Sequence, residues 1–130
     1  MLLIKTKIGP SNINGIGLFA AQFIPKGTLV WKFKSGFDQK IKKSEIEPLS
    51  QSGKEQFLKY AYLSSKNDEY VLCFDDARFF NHSDDPNCVD MVSAGDGEPN
   101  DISCRDISEG EELTCDYRSF SNDFDYKMSI

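Results

Sequence analysis

A chain of 130 residues suits one domain, large enough to bury about two thirds of its unfolded surface and to fold without covalent staples. A formal net charge of −6 and a sequence pI near 4.7 repel phosphate backbones, which argues against direct nucleic-acid binding and suits a basic peptide better. Residues 1–4 are far short of the apolar core of a signal peptide and no later run could span a bilayer, so the expectation is one domain over 1–130, away from membranes and cytoplasmic, or nuclear in a eukaryote.

The first third reads as short strands. Residues 13–24 are apolar with glycines at their start, and Pro25-Lys26-Gly27-Thr28 supplies a turn, proline fixing one dihedral and glycine permitting positive φ. Leu29, Trp31 and Phe33 then alternate with Val30, Lys32 and Lys34, the period of a strand with one buried face, so Phe33 is expected to point inward. Residues 37–55 are polar and carry Pro48 and Gly53, which reads as a loop or insertion. Phe57, Leu58, Ala61 and Tyr62 follow at helical spacing and predict a short amphipathic helix over about 54–64.

Residues 70–74 read as another strand. Residues 93–101, rich in Gly, Asp, Glu, Pro and Asn, are expected to form a solvated hairpin tip joining 88–92 with 102–104. Ile107-Ser108-Glu109-Gly110 echoes Ile24-Pro25-Lys26-Gly27 as a turn feeding a strand, without being a repeat. In the last strand Leu113, Cys115 and Tyr117 are expected on one face, with Glu112, Thr114 and Asp116 on the other. Cys73, Cys88, Cys104 and Cys115 are too widely spaced for a Cys-x-x-Cys pair, and read as buried free thiols in a reducing compartment.

Three runs carry chemistry. Asn14-Gly15-Ile16-Gly17-Leu18-Phe19-Ala20 lacks the third glycine of a dinucleotide fingerprint and the Gly-Lys-Ser/Thr of a phosphate loop, so in isolation it is a glycine turn. Arg78-Phe79-Phe80-Asn81-His82-Ser83-Asp84-Asp85-Pro86-Asn87 holds the single histidine. In isolation His82 is a packed residue, Pro86-Asn87 is a turn, and the flanking Asp75, Asp76, Asp84 and Asp85 match no standard metal site, so no metal is expected. Gly110-Glu111-Glu112-Leu113-Thr114-Cys115-Asp116-Tyr117 is the third run.

Taken together, these runs resemble the signature of SET-domain protein lysine methyltransferases, over residues 2–117 and most weakly over 37–61. The resemblance implies a mostly β fold of several small sheets with one or two short helices and a C-terminal pseudoknot, a variable insertion at 37–61 and a short tail at 118–130. It implies S-adenosylmethionine as cofactor and a lysine in a protein as methyl acceptor. By the same resemblance the backbone of Asn14, Gly15, Ile16 and Gly17 lies against the methionine part of the cofactor, the Asn81 side chain meets its charged end, and the His82 backbone pairs with the adenine.

Tyr117 stands where the family has its catalytic tyrosine, Phe33 where it has a channel aromatic, and Tyr62 resembles a helix-end tyrosine that touches the cofactor in some relatives. Phe80 is a further candidate channel wall. The chain departs from the pattern at Asp84, in place of a common Cys; at Arg118, in place of a Gly; at Asp90, near where some members have a channel tyrosine; and in a tail without the cysteine-rich zinc segment. With that segment missing, Phe120 or Phe124 is expected to fold over the cofactor, in its own subunit or in a homodimer partner's.

Methyl transfer needs a neutral amine, and a free lysine near pKa 10.4 resists deprotonation at pH 7 by roughly 4 to 5 kcal/mol. A narrow apolar channel beside a cationic sulfonium lowers that barrier by desolvation and like-charge repulsion. Two rivals stand beside this reading: a SET-fold module that binds cofactor or peptide but turns over poorly, and a small all-β hydrolase using His82 with aspartates, for which the sequence offers no activated nucleophile.

Overall fold

The computed structural model describes residues 1–91 and 97–130. Among the described residues, four small sheets wrap one core. The first is the antiparallel hairpin of β1 (Thr6–Pro10) and β2 (Ile16–Ala20), with Gly9 opposite Gly17. The second has β9 (Asn100–Ser103) between β3 (Leu29–Trp31) and β8 (Cys88–Met91), and the third has β6 (Tyr70–Leu72) between β4 (Gln39–Ile41) and β5 (Tyr62–Leu63). The fourth is a two-residue parallel pair, β7 (Asn81–His82) with β10 (Thr114–Cys115).

Leu18, Ile24, Val30, Ile107 and Leu113 are fully buried and join Trp31, Phe80, Cys88 and Cys115 in one cluster. Each such aliphatic side chain contributes about 1.5–3 kcal/mol on burial. The two Ile-x-x-Gly turns meet here, because Ile24 and Ile107 exchange backbone hydrogen bonds of 2.8 Å in both directions.

Several expectations change. β3 ends at Trp31 and carries a register shift between Leu29 and Trp31, so the adjacent Val30 and Trp31 are both buried and strict alternation fails before Phe33. Residues 37–61 hold three elements in place of a plain loop: β4, then α1 (Lys43–Ile46), then α2 (Gln51–Tyr60). Ser50 caps α2 by accepting from the Gly53 amide at 3.0 Å, so the helix starts before the apolar residues that suggested it. It ends at Tyr60; Ala61 is extended and Tyr62 belongs to β5.

The hairpin of β8 and β9 stands as expected, and residues 92–96 of its tip lie outside the described residues. The remainder of the tip is not uniformly solvated. Glu98 is 2% exposed and accepts hydrogen bonds of 2.9 Å from the hydroxyls of Tyr62 and Ser64. The last strand also departs from a two-faced pattern, since Leu113, Thr114 and Cys115 are all buried and Tyr117 opens a 3-10 turn, Tyr117–Ser119. Both faces of β10 are covered because the chain end is held from two sides. Ser83 N–H donates to the Cys115 carbonyl on one side, while Ser65 N–H donates to Phe120 and Asn122 N–H to Leu63 on the other.

The tail continues as α3 (Phe124–Ser129), docked by Lys127, whose ammonium donates to the carbonyls of Leu58 and Lys59 at the end of α2. Among the described residues no helix is long and apolar enough to cross a membrane.

Candidate active site

The parallel pair places Asn81 beside Thr114 and His82 beside Cys115, which brings the second and third sequence runs to one point. Asn87 fixes this meeting: its side-chain carbonyl accepts from the Thr114 amide at 2.9 Å and its amide donates to the Glu112 carbonyl at 2.8 Å. Asn87 is 2% exposed and acts as a strand partner, a role beyond the simple turn that Pro86-Asn87 suggests.

Asn81 gathers the first run into the same place. Its amide nitrogen lies within 3.4 Å of four acceptors: Ser11 Oγ, the carbonyls of Asn14 and Ile16, and Glu112 Oε2. Two amide hydrogens cannot serve four acceptors, so the cluster holds surplus acceptor capacity. Ser11 Oγ is also 2.8 Å from Glu112 Oε1. Gly17 makes this possible, since a Cβ there would lie 2.5 Å from Glu112 Oε2. Gly15 has φ +50° and open space where a Cβ would stand.

His82 is engaged through both ring nitrogens. The Tyr117 amide donates to Nδ1 at 3.1 Å, which leaves the proton on Nε2, 2.9 Å from Asp84 Oδ1. Arg118 completes this edge, donating to Asp116 and Asp84, and it holds the Asp116 carboxyl below its ordinary range. The Phe124 ring stands edge-on to His82 at 4.9 Å, with the Arg118 guanidinium 5.4 Å from the Phe124 centroid.

Tyr117 faces the other way. Its hydroxyl donates to the Phe80 carbonyl, and burial, followed by the neighbouring Cys115, pushes its ionisation well up, so it is a neutral donor. It lines a cavity of ≈ 690 Å³, solvent mouth included, with Trp31, Tyr62, Phe80 and Phe120 among the walls. Phe120 packs on Tyr62 at 4.8 Å and on Tyr117 at 6.1 Å. Tyr62 is held by Glu98, and burial first, then that carboxylate, raises its ionisation.

The structure thus gathers the Asn14–Gly17 hairpin at the Asn81 amide and His82 against Tyr117 and Phe124, while Phe80, Tyr62 and Phe120 line the cavity with Tyr117. Phe33 is not among the cavity walls; it packs beside Trp31 at 6.5 Å under the Lys40 ammonium, and Trp31 supplies the wall. Sequence reasoning also passed over Ser11, Glu112 and Asp101. Glu112 was within sight, inside the Gly-Glu-Glu-Leu run, but nothing local to Ser11 signals a partner 101 residues away.

A SET domain family model matches residues 15–118. The chain is 35% identical over 124 residues to histone-lysine N-methyltransferase 2D of Homo sapiens, covering 91% of this chain and 2% of that protein. It is 36% identical over 110 residues to the H3 lysine-36 specific histone-lysine N-methyltransferase of Schizosaccharomyces pombe, covering 79% of this chain and 13% of that protein. The chain therefore spans a small part of the curated relatives it matches. A crystal structure from Plasmodium falciparum, described as a candidate histone methyltransferase, matches with a TM-score of 0.59 at 20% identity, over 89% of this chain and 95% of that one, a likeness of fold.

Proposed function

The chain belongs to the SET domain family, and on that premise we propose that it transfers a methyl group from S-adenosylmethionine to the side-chain amine of a lysine in a protein. The observation that carries this reading is the position of Tyr117, which packs on His82 at 5.4 Å, next to Asn81 and the glycine hairpin, and also lines an aromatic-walled cavity. Those two compartments suit two substrates that meet at one atom.

The residues on the first side fit the cofactor. Surplus oxygen acceptors around the Asn81 amide suit an ammonium with three hydrogens, and Gly15 leaves room for close approach along the hairpin. His82 offers backbone groups beside an aromatic ring, Phe124, that suits an adenine face. When bound, S-adenosylmethionine supplies an electrophilic methyl carbon on a cationic sulfonium.

On the second side, Phe80, Trp31, Tyr62 and Phe120 hold the aliphatic stem of a lysine and exclude water, which favours the neutral amine. Tyr117 Oη, anchored on the Phe80 carbonyl, orients the amine; alignment of this kind lowers a barrier by several kcal/mol, about 7–11 at its limit. The acidic chain favours lysines in basic segments.

Incubation with labelled S-adenosylmethionine and a panel of basic proteins, read by intact mass, tests the reading. Label on lysine supports it. Tight cofactor binding without transfer would favour a binding module instead, and absence of cofactor binding would overturn both.

A further inference from the structure

The three-stranded sheet lays Trp31, Asp101 and Asp90 in one row: Trp31 pairs with Asp101 across β3 and β9, and Asp101 with Asp90 across β9 and β8. All three line the cavity beside Tyr117. Like charges directly across a strand pair repel, so this register favours holding one proton between the two carboxyls. Burial first, and then the Asp90 charge, hold the Asp101 carboxyl well above its ordinary range, and burial likewise raises Asp90.

A second observation marks the same spot. Among the described residues, the Nε1 donor of Trp31, a side chain only 4% exposed, has no partner, and neither has the buried Oδ1 of Asp123, another cavity-lining residue. An amine is complementary to this set, its N–H bonds facing carboxylates and its lone pair facing an indole donor.

The cationic groups at the cavity are engaged elsewhere. Lys127 donates to the carbonyls of Leu58 and Lys59, Arg78 donates to those of Cys73 and Phe74, and Lys59 stands over the Tyr60 ring. The Ser119 hydroxyl donates to the Asp116 carbonyl, while Asp116 and Glu98 add their fields at Asp90 and the amino terminus adds its field at Asp101. Among the described residues no ion pair involves Asp90 or Asp101.

Resting on the lysine-methylation reading, we propose that the Asp90–Asp101 pair receives the substrate's lysine ammonium and takes one proton from it. An N–H bond of the ammonium breaks, an O–H bond forms on the pair, and the amine keeps the electron pair with which it attacks the methyl carbon. The pair goes from singly charged to neutral and releases the proton to solvent before the next turnover. It thereby supplies the proton acceptor that Tyr117, a neutral donor, does not.

The test uses the full chain with Asp90→Asn and Asp101→Asn. With a lysine peptide at saturating cofactor, each variant is expected to lose roughly 100-fold in kcat at neutral pH, the scale of a lost general base, and to regain rate as alkaline solvent takes over deprotonation. Cofactor affinity by calorimetry should be unchanged. Variant pH profiles that superimpose on the wild-type profile would overturn the proposal.

A second measurement needs no turnover. In protein labelled with carbon-13 at the aspartate carboxyls, n-butylammonium should shift the Asp90 and Asp101 signals by NMR. No shift in either overturns the site even if lysine is methylated. A shift in a wild-type protein that transfers nothing sinks the methylation reading while upholding the ammonium site.

Discussion

The backbone amide of Tyr117 donates to Nδ1 of His82 at 3.1 Å, so the one histidine of the chain sets the position of the tyrosine that follows β10. With Nε2 facing Asp84, neither ring nitrogen is available to take a proton from a substrate, and His82 is a positioning residue. His82→Ala leaves the Tyr117 amide unpaired in a half-buried place. Urea unfolding should show a loss of about 1–3 kcal/mol, the cost of an unsatisfied buried donor. Unchanged stability would mean that the contact holds nothing.

Tyr117→Phe keeps the ring and removes the hydroxyl that donates to Phe80. Because that hydroxyl orients the amine and touches no part of the cofactor-side cluster, kcat should fall roughly 10- to 100-fold, about 1.4–2.7 kcal/mol, with cofactor affinity nearly unchanged. Wild-type turnover in the Phe variant would reduce Tyr117 to a wall residue.

Much of this was legible from short runs. Asn81, His82 and Tyr117 form one site in the reading that the resemblance of their runs implies, and the parallel pair of β7 with β10 sets Asn81 and His82 beside the strand that leads into Tyr117. Periodicity served less well. Strands of two or three residues are too short for a period of two to register, which is why Val30 and Thr114 are buried against the pattern. The spacing of Phe57, Leu58, Ala61 and Tyr62 looked helical, although the chain leaves the helix at Ala61 and carries Tyr62 into a sheet. Ser11, Glu98 and Trp31 owe their roles to partners far away in sequence, which local chemistry does not announce.

Gly17 and Glu112 form a matched pair. A glutamate carboxylate normally swings away from an added methyl at little cost, but this one is pinned by Ser11 and Asn81. Gly17→Ala should therefore destabilise the fold by about 1–3 kcal/mol, the usual cost of overpacking. In the background of Glu112→Ala the same change should cost much less, and a double-mutant cycle by thermal unfolding reads the coupling. Additive effects would show that the contact is soft.

Asp101 predicts a pH dependence of stability with a definite sign. Its folded carboxyl keeps its proton to higher pH than in the unfolded chain, where the value is near 3.8, so the folded state binds more protons from pH 3.8 upward. Stability from this source is full below that pH and falls as pH rises through the folded value. Asp116, shifted downward, acts only below 3.8, and Lys127, lowered to about 8, acts only above that pH, so neither masks the window. The wild-type protein should be more stable near pH 5 than near pH 7, and Asp101→Asn should flatten the difference. A variant with the wild-type slope would place the shared proton elsewhere.

The tail separates two aromatic roles that a single truncation would confuse. Phe120 packs against the core, on Tyr62 and Tyr117, and Ser121 bridges to Ser64 just after β5. Phe124 stands on His82 with Arg118 over its ring, and α3 beyond it is held through Lys127. Removing residues 119–130 takes both, and should cost about 3–5 kcal/mol, as loss of a core phenylalanine does. Removing only 123–130 spares Phe120, so the core should still melt cooperatively, with a small shift in midpoint. Cofactor affinity should nevertheless fall roughly tenfold, about 1.4 kcal/mol, because the ring beside the His82 backbone is gone. Calorimetry on the shorter deletion decides the matter: affinity equal to or tighter than wild type would show that α3 shields an empty site rather than covering a filled one.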